Sequence, residues 1–328
     1  MDIGRPFIRL PFSFDAARLA EEADALAGSV WLPHPSGMKG NSAAPLISRD
    51  GGQNDAFDGA MMPTRHLDSC PYTRQVMASF GEVLGRSRLM RLEPGAEVSV
   101  HVDFNYHWLT RVRIHIPVVT DPAVIFHCGQ MQLHMAAGEC WIFNSWRRHR
   151  VVNASGISRI HLVLDTAGSS RFWRLVREMQ ALHELNDPEA VNARIAEVPF
   201  DPTWNGSIET ERFNTAPVMA PGEVDALVDG LVRDFSAHPG NDPRLIARYE
   251  EILQDFCKDW REAWHLYGYS ESGWSRYKAI LESLREKLHT NPRALVTASN
   301  QIGVNPIIVQ RILSPALAAE QSKHFFSS

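Results

Sequence analysis

The chain has 328 residues, of which 44% are hydrophobic and 22% charged, an ordinary composition for a globular protein of one large or two modest domains. A net charge of −5 argues against nucleic acid as the main partner. No apolar run approaches membrane-spanning length, no charged-then-apolar leader opens the chain, and four cysteines scattered at 70, 128, 140 and 257 form no disulfide framework, so a cytoplasmic protein with no membrane contact is expected.

Along the first eighty residues, Phe7-Ile8-Arg9-Leu10 reads as a strand. A helix is predicted over 15–27 with Asp15 as its N-cap. The glycine-rich and polar stretch 37–59 reads as strand plus loop, and a helix over 71–84 leads into a strand-rich region.

Residues 86–167 are short strands punctuated by turn signals at Glu93-Pro94-Gly95, Asp121-Pro122, Cys128-Gly129 and Ala137-Gly138-Glu139. That spacing predicts a sandwich or barrel, and a double-sheet jelly roll of the cupin type fits the order of the motifs inside it. The first motif is His101-Val102-Asp103. Alternate strand side chains share a face, so His101 and Asp103 point one way and Val102 the other. His149 follows after several more strands, and Arg159 begins the segment Arg159-Ile160-His161-Leu162-Val163-Leu164-Asp165.

Two imidazoles and a carboxylate make the set that suits Fe(II) and leaves one face of the metal open. An arginine after the second histidine could grip the far carboxylate of a keto acid, because a guanidinium forks onto a carboxylate with two parallel hydrogen bonds. An HxD triplet alone is a weak signal, and it is the ordered set that points to an oxygen-using enzyme. Residues 111–118 alternate strictly, with Val112, Ile114, Ile116 and Val118 on one face and Arg111, Arg113 and His115 on the other. That polar face is either half-solvated or lines a pocket.

Other histidines carry less. Tyr106-His107-Trp108 is either a substrate-facing loop or an exposed aromatic turn. His127 and His134 read as barrel wall or surface, His161 shares the face of Arg159, and a zinc site at His127 and Cys128 has no C-x-x-C spacing to support it.

After residue 170 helical periodicity takes over, with helices predicted at 172–186, 221–237, 243–267, 273–289 and 292–299. Domains are therefore drawn at 1–169, the jelly roll with its N-terminal elaboration, and 170–328, an α-helical C-terminal region. The segment 198–220 reads as a linker or a flap. Trp260 and Trp264 share a helix face and read as packing. Residues 294–313 suggest a small helix-turn-helix-like unit without a basic face, which argues against DNA binding, and the tail at 323–328 reads as frayed. No internal repeat is apparent.

Residues 85–167 resemble the aspartyl/asparaginyl β-hydroxylase family of Fe(II)- and 2-oxoglutarate-dependent dioxygenases. The matching stretches are Arg88-Leu89-Met90-Arg91-Leu92-Glu93-Pro94-Gly95, His101-Val102-Asp103, Arg113-Ile114-His115-Ile116-Pro117, the run from Met135 to Asn144, His149-Arg150-Val151-Val152-Asn153, and Arg159 to Asp165. Met62-Pro63-Thr64 and Cys70-Pro71-Tyr72 resemble the family's substrate-side region, and bacterial proline hydroxylases have a similar layout, including a helical tail. The resemblance implies His101, Asp103 and His149 as iron ligands. It implies Arg159 on the distal carboxylate of 2-oxoglutarate, and Arg113 and His115 on 2-oxoglutarate or on a substrate carboxylate. Some animal members of the family lack the carboxylate ligand, and this chain, with Asp103, resembles the full-triad branch. By the same likeness, 37–59 either closes over the substrate or is a surface loop.

The expected activity is hydroxylation of an amino acid or amino-acid residue using O2, with release of succinate and CO2. A homodimer through the helical region is a further expectation. A cupin-like metal-binding sensor or interaction protein is the alternative from another class, and a redox-inactive metal isomerase on the same barrel a weaker one. Arg159 discriminates, since a simple sensor has no need of a keto-acid anchor.

Overall fold

A computed structural model describes residues 1–34, 37–185 and 187–318. The fraying expected at 323–328 and the end of the helix expected over 172–186 lie outside the described residues. The chain folds as two compact units, Met1–Asp103 with Thr110–Asn214, and Phe104–Leu109 with Thr215–Ser328.

The strands in chain order are β1 (Phe7–Phe14), β2 (Leu32–Pro33), β3 (Asn41–Arg49), β4 (Met61–Pro63), β5 (Leu84–Leu92), β6 (Glu97–His101), β7 (Val112–Val119), β8 (Val124–Cys128), β9 (Met131–Leu133), β10 (Glu139–Phe143), β11 (His149–Asn153), β12 (Arg159–Thr166) and β13 (Ala196–Val198). The helices are α1 (Ala16–Asp24), α2 (Pro71–Ser79), α3 (Tyr106–Thr110), α4 (Ser170–Glu184), α5 (Pro188–Asn192), α6 (Pro221–Ser236), α7 (Pro243–Tyr267), α8 (Trp274–Lys287), α9 (Val304–Ile307) and α10 (Ser314–Ala316), the last two joined by a π-helical stretch, Ile308–Leu313.

One sheet runs β13-β1-β10-β7-β12-β5-β3-β2, with β4 beside β3, and the other runs β6-β11-β8-β9. From β5 to β12 the chain crosses between the sheets at every step except from β8 to β9. From β5 to β12 most neighbours within each sheet are therefore not consecutive in sequence, the β8–β9 hairpin excepted, which is the double-stranded β-helix, or jelly roll, that the motif order predicts. The alternation of β7 explains the layering. Val112, Ile114, Ile116 and Val118 are all buried in the larger core, on the face covered by Leu19 and Ala23 of α1 and by Phe172, Val176 and Met179 of α4. The opposite face of the same sheet looks toward the smaller sheet. There Phe7 and Leu92 pack with Val124, Phe126, Cys128 and Val151 in a separate, smaller cluster. Each such fully buried side chain contributes about 1.5–3 kcal/mol, so both faces stabilise the larger sheet.

Several sequence expectations are adjusted. Asp15 does cap α1, accepting from the Arg18 amide at 3.1 Å, but the helix ends at Asp24. The helix expected over 71–84 stops at Ser79, because Gly81 takes φ +59° and Leu84 already pairs in β5. The domain boundary drawn at 169/170 falls instead at 214/215. The reason is packing: the apolar stripe of α4 covers the sheet, and β13 pairs in parallel with β1.

In the second unit α6, α7 and α8 enclose Phe235, Tyr249, Leu253, Trp260, Tyr277 and Ile280. Trp260 donates from its indole to the Met219 carbonyl, which gives it the packing role its spacing suggests. The helix expected over 292–299 is absent. Thr297 instead anchors a turn through Asn300 and Ile302, and Val296 bridges to Gly303.

Candidate metal centre

His101 ends β6 and His149 begins β11, and the two residues sit directly opposite each other in antiparallel register with ring centroids 4.1 Å apart. Asp103 lies just past β6 rather than on it. This corrects the expectation of two ligands on one strand: the strand ends at His101, and a backbone hydrogen bond from Asp103 to the Ser145 carbonyl (3.0 Å) carries the carboxylate to the site. Nε2 of His101 and Nε2 of His149 each stand 3.8 Å from an Asp103 carboxylate oxygen, Oδ1 and Oδ2 respectively. One ligating atom from each residue lies within 4.8 Å of the others.

The tautomers follow from the backbone. Nδ1 of His101 faces the Ser99 carbonyl at 2.8 Å and Nδ1 of His149 faces the Arg147 carbonyl at 2.9 Å. A carbonyl only accepts, so each Nδ1 carries the proton and each Nε2 presents its lone pair, as metal-ligating histidines require. Burial lowers the pKa of His149, partly offset by Asp103, which keeps the imidazole neutral and able to ligate. Two imidazoles and a carboxylate converging in this way fit Fe(II).

A line of rings leads away from the triad along the inner wall. Phe143 is 4.9 Å from His149, His115 is 5.1 Å from Phe143, and His161 is 5.9 Å from His115. Arg159 stands at the far end, its guanidinium 5.4 Å from the Phe126 ring. It is buried, its Nη1 reaches only the Met90 carbonyl at 3.3 Å, its Nε has no partner, and no described carboxylate pairs with it. Burial pulls its pKa down to about 10. A guanidinium stays protonated in proteins, so that pull marks a buried cation lacking a counter-charge.

Arg113 differs. Its Nε and Nη2 fork onto the buried Asp165 at 2.7 and 3.1 Å. Burial lowers the Arg113 pKa, but Asp165 outweighs it and leaves the group above its ordinary value. The pairing follows from register, since Arg113 faces Asp165 across β7 and β12. His115 is buried with both ring nitrogens unpartnered, and burial, then Arg113 and Arg159, push its pKa well down.

Sequence reasoning passed over the rest of this face. Arg86 and Arg88 of β5 both reach Asp55, Arg86 also approaches Asp165 at 3.7 Å, and Phe57 stacks 3.8 Å from the Arg86 guanidinium. The i, i+2 spacing of Arg86 and Arg88 was the available signal: it puts both on one strand face. Asp55, in a loop, gave none. His127 and His134 are both half-buried, and Nδ1 of His134 faces the Val124 carbonyl at 3.1 Å.

Residues 56–168 match the family model described as aspartyl/asparaginyl beta-hydroxylase. A curated relative, L-proline cis-3-hydroxylase 2 of a Streptomyces species, is 29% identical over 157 residues, covering 46% of this chain. The match spans about half of that relative, 52% of its length. Among solved structures, a 2OG-Fe(II) oxygenase-family oxidoreductase from Burkholderia pseudomallei aligns at 13% identity and a TM-score of 0.34, covering 47% of this chain and 78% of that one. A cupin-superfamily sugar phosphate isomerase from Silicibacter pomeroyi aligns at 21% identity and a TM-score of 0.26, over 44% and 73%. The jelly-roll stretch that carries the triad is thus aspartyl/asparaginyl β-hydroxylase-like, with similarity to a proline hydroxylase.

Proposed function

We propose that this protein is an Fe(II)- and 2-oxoglutarate-dependent dioxygenase that hydroxylates an amino acid or an amino-acid residue, releasing succinate and CO2. The observation that carries the reading is a pairing: a two-histidine, one-carboxylate cluster at one end of the inner wall, and a buried cation without a counter-charge at the other. Relatives named for aspartyl/asparaginyl and proline hydroxylation support it.

His101, Asp103 and His149 would hold the metal, which when bound supplies the redox chemistry with O2 and the keto acid. The two backbone carbonyls lock the ring tautomers, so the site needs no proton rearrangement to accept metal. Arg159 supplies the charge for the distal carboxylate of 2-oxoglutarate, and a dianion entering there would relieve the cost of its burial. His115 offers a ring N–H from the same wall. Arg113 is already forked onto Asp165 and contributes its field and the rigidity of the ion pair rather than a free fork. Phe126 and Phe143 keep the passage apolar and exclude water. Arg86 and Arg88 of β5 with Asp55 from the adjoining loop present both signs of charge beside one another, the complement of a substrate with amino-acid functional groups.

The test is succinate release from 2-oxoglutarate with Fe(II) and O2, with and without a pool of free amino acids, using His149→Ala as the blank. Succinate that rises with the pool above that blank is the expected result. A His149→Ala protein with full activity would refute the ligand assignment.

A further inference from the structure

The loop between β3 and β4 holds a carboxylate against two buried arginines. Its base is fixed: the Asp50 amide donates to the Ala60 carbonyl at 2.8 Å, and Arg49 pairs with Asp58 at 2.6 Å. Its tip meets β5, where one oxygen of Asp55, Oδ1, accepts from both Arg86 and Arg88. Arg86 has other support, from the Asp55 backbone carbonyl at 2.9 Å, the Phe57 ring at 3.8 Å and Asp165 at 3.7 Å. Arg88 does not. Among the described residues it pairs with Asp55 alone, and its Nε, like that of Arg86, is buried without a hydrogen-bond partner. Burial, then Arg86 and Arg113, pull its pKa well down, which marks a cation in a positive field. Three arginines, Arg86, Arg88 and Arg113, thus share two carboxylates, Asp55 and Asp165. Asp165 is fully buried in β12 and forked by Arg113, whereas the Asp55 side chain is 27% exposed and rides on a loop. The cluster neighbours the triad, since the charge of Asp103 acts on Arg86.

We propose that Asp55 is an internal stand-in for a substrate carboxylate: it occupies Arg88 in the empty protein and is exchanged for the carboxylate of the incoming molecule, the 50–60 loop moving as it leaves. Naming that molecule the substrate rests on the function proposed above; the exchange at Arg88 does not. Asp55 is poorly matched to the cations it holds. It spends one oxygen on two arginines and leaves both Nε groups unmet, so a carboxylate that forks onto a guanidinium makes fuller use of the same donors. The arrangement also spares the fold a second uncompensated cation. Arg159 waits for its ligand without a counter-charge, whereas Arg88 stays paired until a ligand's charge replaces that of Asp55.

The experiment follows the Nε–H resonances of Arg86 and Arg88 in the metal-free full chain, carrying isotope-labelled arginine, during titration with sodium acetate against sodium chloride at equal ionic strength. Acetate has a carboxylate and no ammonium, so the titration reads the exchange alone. Wild type is compared with Asp55→Asn and with Phe57→Ala, which loosens the loop from Arg86. Charge-assisted hydrogen bonds from two arginines hold the exchanged state below about a tenth of the wild-type population, and releasing it tightens the apparent affinity by the inverse of that fraction. Asp55→Asn is thus expected to bind acetate about tenfold or more tighter than wild type, with the Arg88 resonance shifting, and Phe57→Ala to fall between the two. In wild type, acetate but not chloride should speed hydrogen exchange of the 50–60 amides. That measurement and Phe57→Ala decide the matter if Asp55→Asn does not fold. Acetate binding that is unchanged, weaker or absent in Asp55→Asn would make Asp55 a fixed structural partner and overturn the proposal, as would wild-type loop exchange that acetate leaves untouched. The titration uses neither iron nor keto acid, so a failed succinate assay beside a successful acetate exchange would sink the proposed function and leave the exchange standing.

Discussion

Arg113 and Arg159 lie on adjacent strands of one sheet face, yet only Arg113 meets a carboxylate in the fold. The difference separates structure from readiness to bind. Breaking a buried pair leaves an uncompensated charge, so Asp165→Asn, which strands Arg113 and removes the neighbour of Arg86, should cost about 3–5 kcal/mol in urea unfolding. Arg159→Met removes a charge that nothing in the fold balances. It should raise metal-free stability by about 1–2 kcal/mol while abolishing 2-oxoglutarate binding, the exchange of stability for function found where a site is built ahead of its ligand. A fall in stability together with retained binding would contradict that assignment. Both arginines were visible in the sequence as members of alternating strands. Their partners were not, because Asp165 is brought to Arg113 by cross-strand register, and Asp55 reaches Arg86 and Arg88 from a loop whose path no periodicity encodes.

At the level of elements, the turns and the strict alternations were the most legible features. β7 begins and ends within a residue of its expected range, and its apolar residues face the larger core. The turn at Gly138 shows why the signal was physical. It takes φ +78°, and a Cβ there would stand 2.3 Å from the Phe14 carbonyl oxygen, while its own carbonyl accepts from the Phe14 amide at 2.9 Å. Gly138→Ala should therefore destabilise by more than about 1 kcal/mol, read as a lower urea midpoint at unchanged slope. Element ends were less legible. The strand carrying His101 stops at that residue, before Val102, and the helix expected over 292–299 yields to a side-chain hydrogen bond from Thr297 to Asn300 Oδ1, which also accepts from the Ile302 amide. Such bonds compete with helix locally and leave no mark in apolar spacing.

For the molecule as a whole, the inner wall sets a pH dependence. Burial lowers the pKa of His115, His149 and His161 below the ordinary value of 6.5. The unfolded chain binds these protons near pH 6.5 while the native protein refuses them until lower pH. Below 6.5 the unfolded state therefore carries more protons, and native stability falls as pH falls. Metal-free thermal midpoints should drop between about pH 7.5 and about pH 5.5, and Fe(II), held by neutral imidazoles in the proposed assignment, should raise the midpoint at the higher pH. A midpoint that is flat across that interval, or that rises on acidification, would show that these histidines are not held neutral. No helix among the described residues is long and apolar enough to cross a membrane.

What the sequence by itself determined was the kind of fold and the donor types offered at its candidate centre. Two-residue alternation, turn residues and an ordered His-x-Asp, His and Arg series are local signals, and each follows from backbone geometry or from the donor atoms a residue type carries. What only the tertiary structure decided was which charges are met. His149 faces His101 because β11 pairs with β6, Arg113 is neutralised because β7 pairs with β12, and Arg159 meets no described carboxylate because the strands around it bring Phe126 and a backbone carbonyl instead. Those outcomes depend on contacts between residues far apart in the chain. The unit boundary at 214/215 has the same origin: α4 reads as the start of a helical region, but its apolar stripe finds the sheet before it finds another helix.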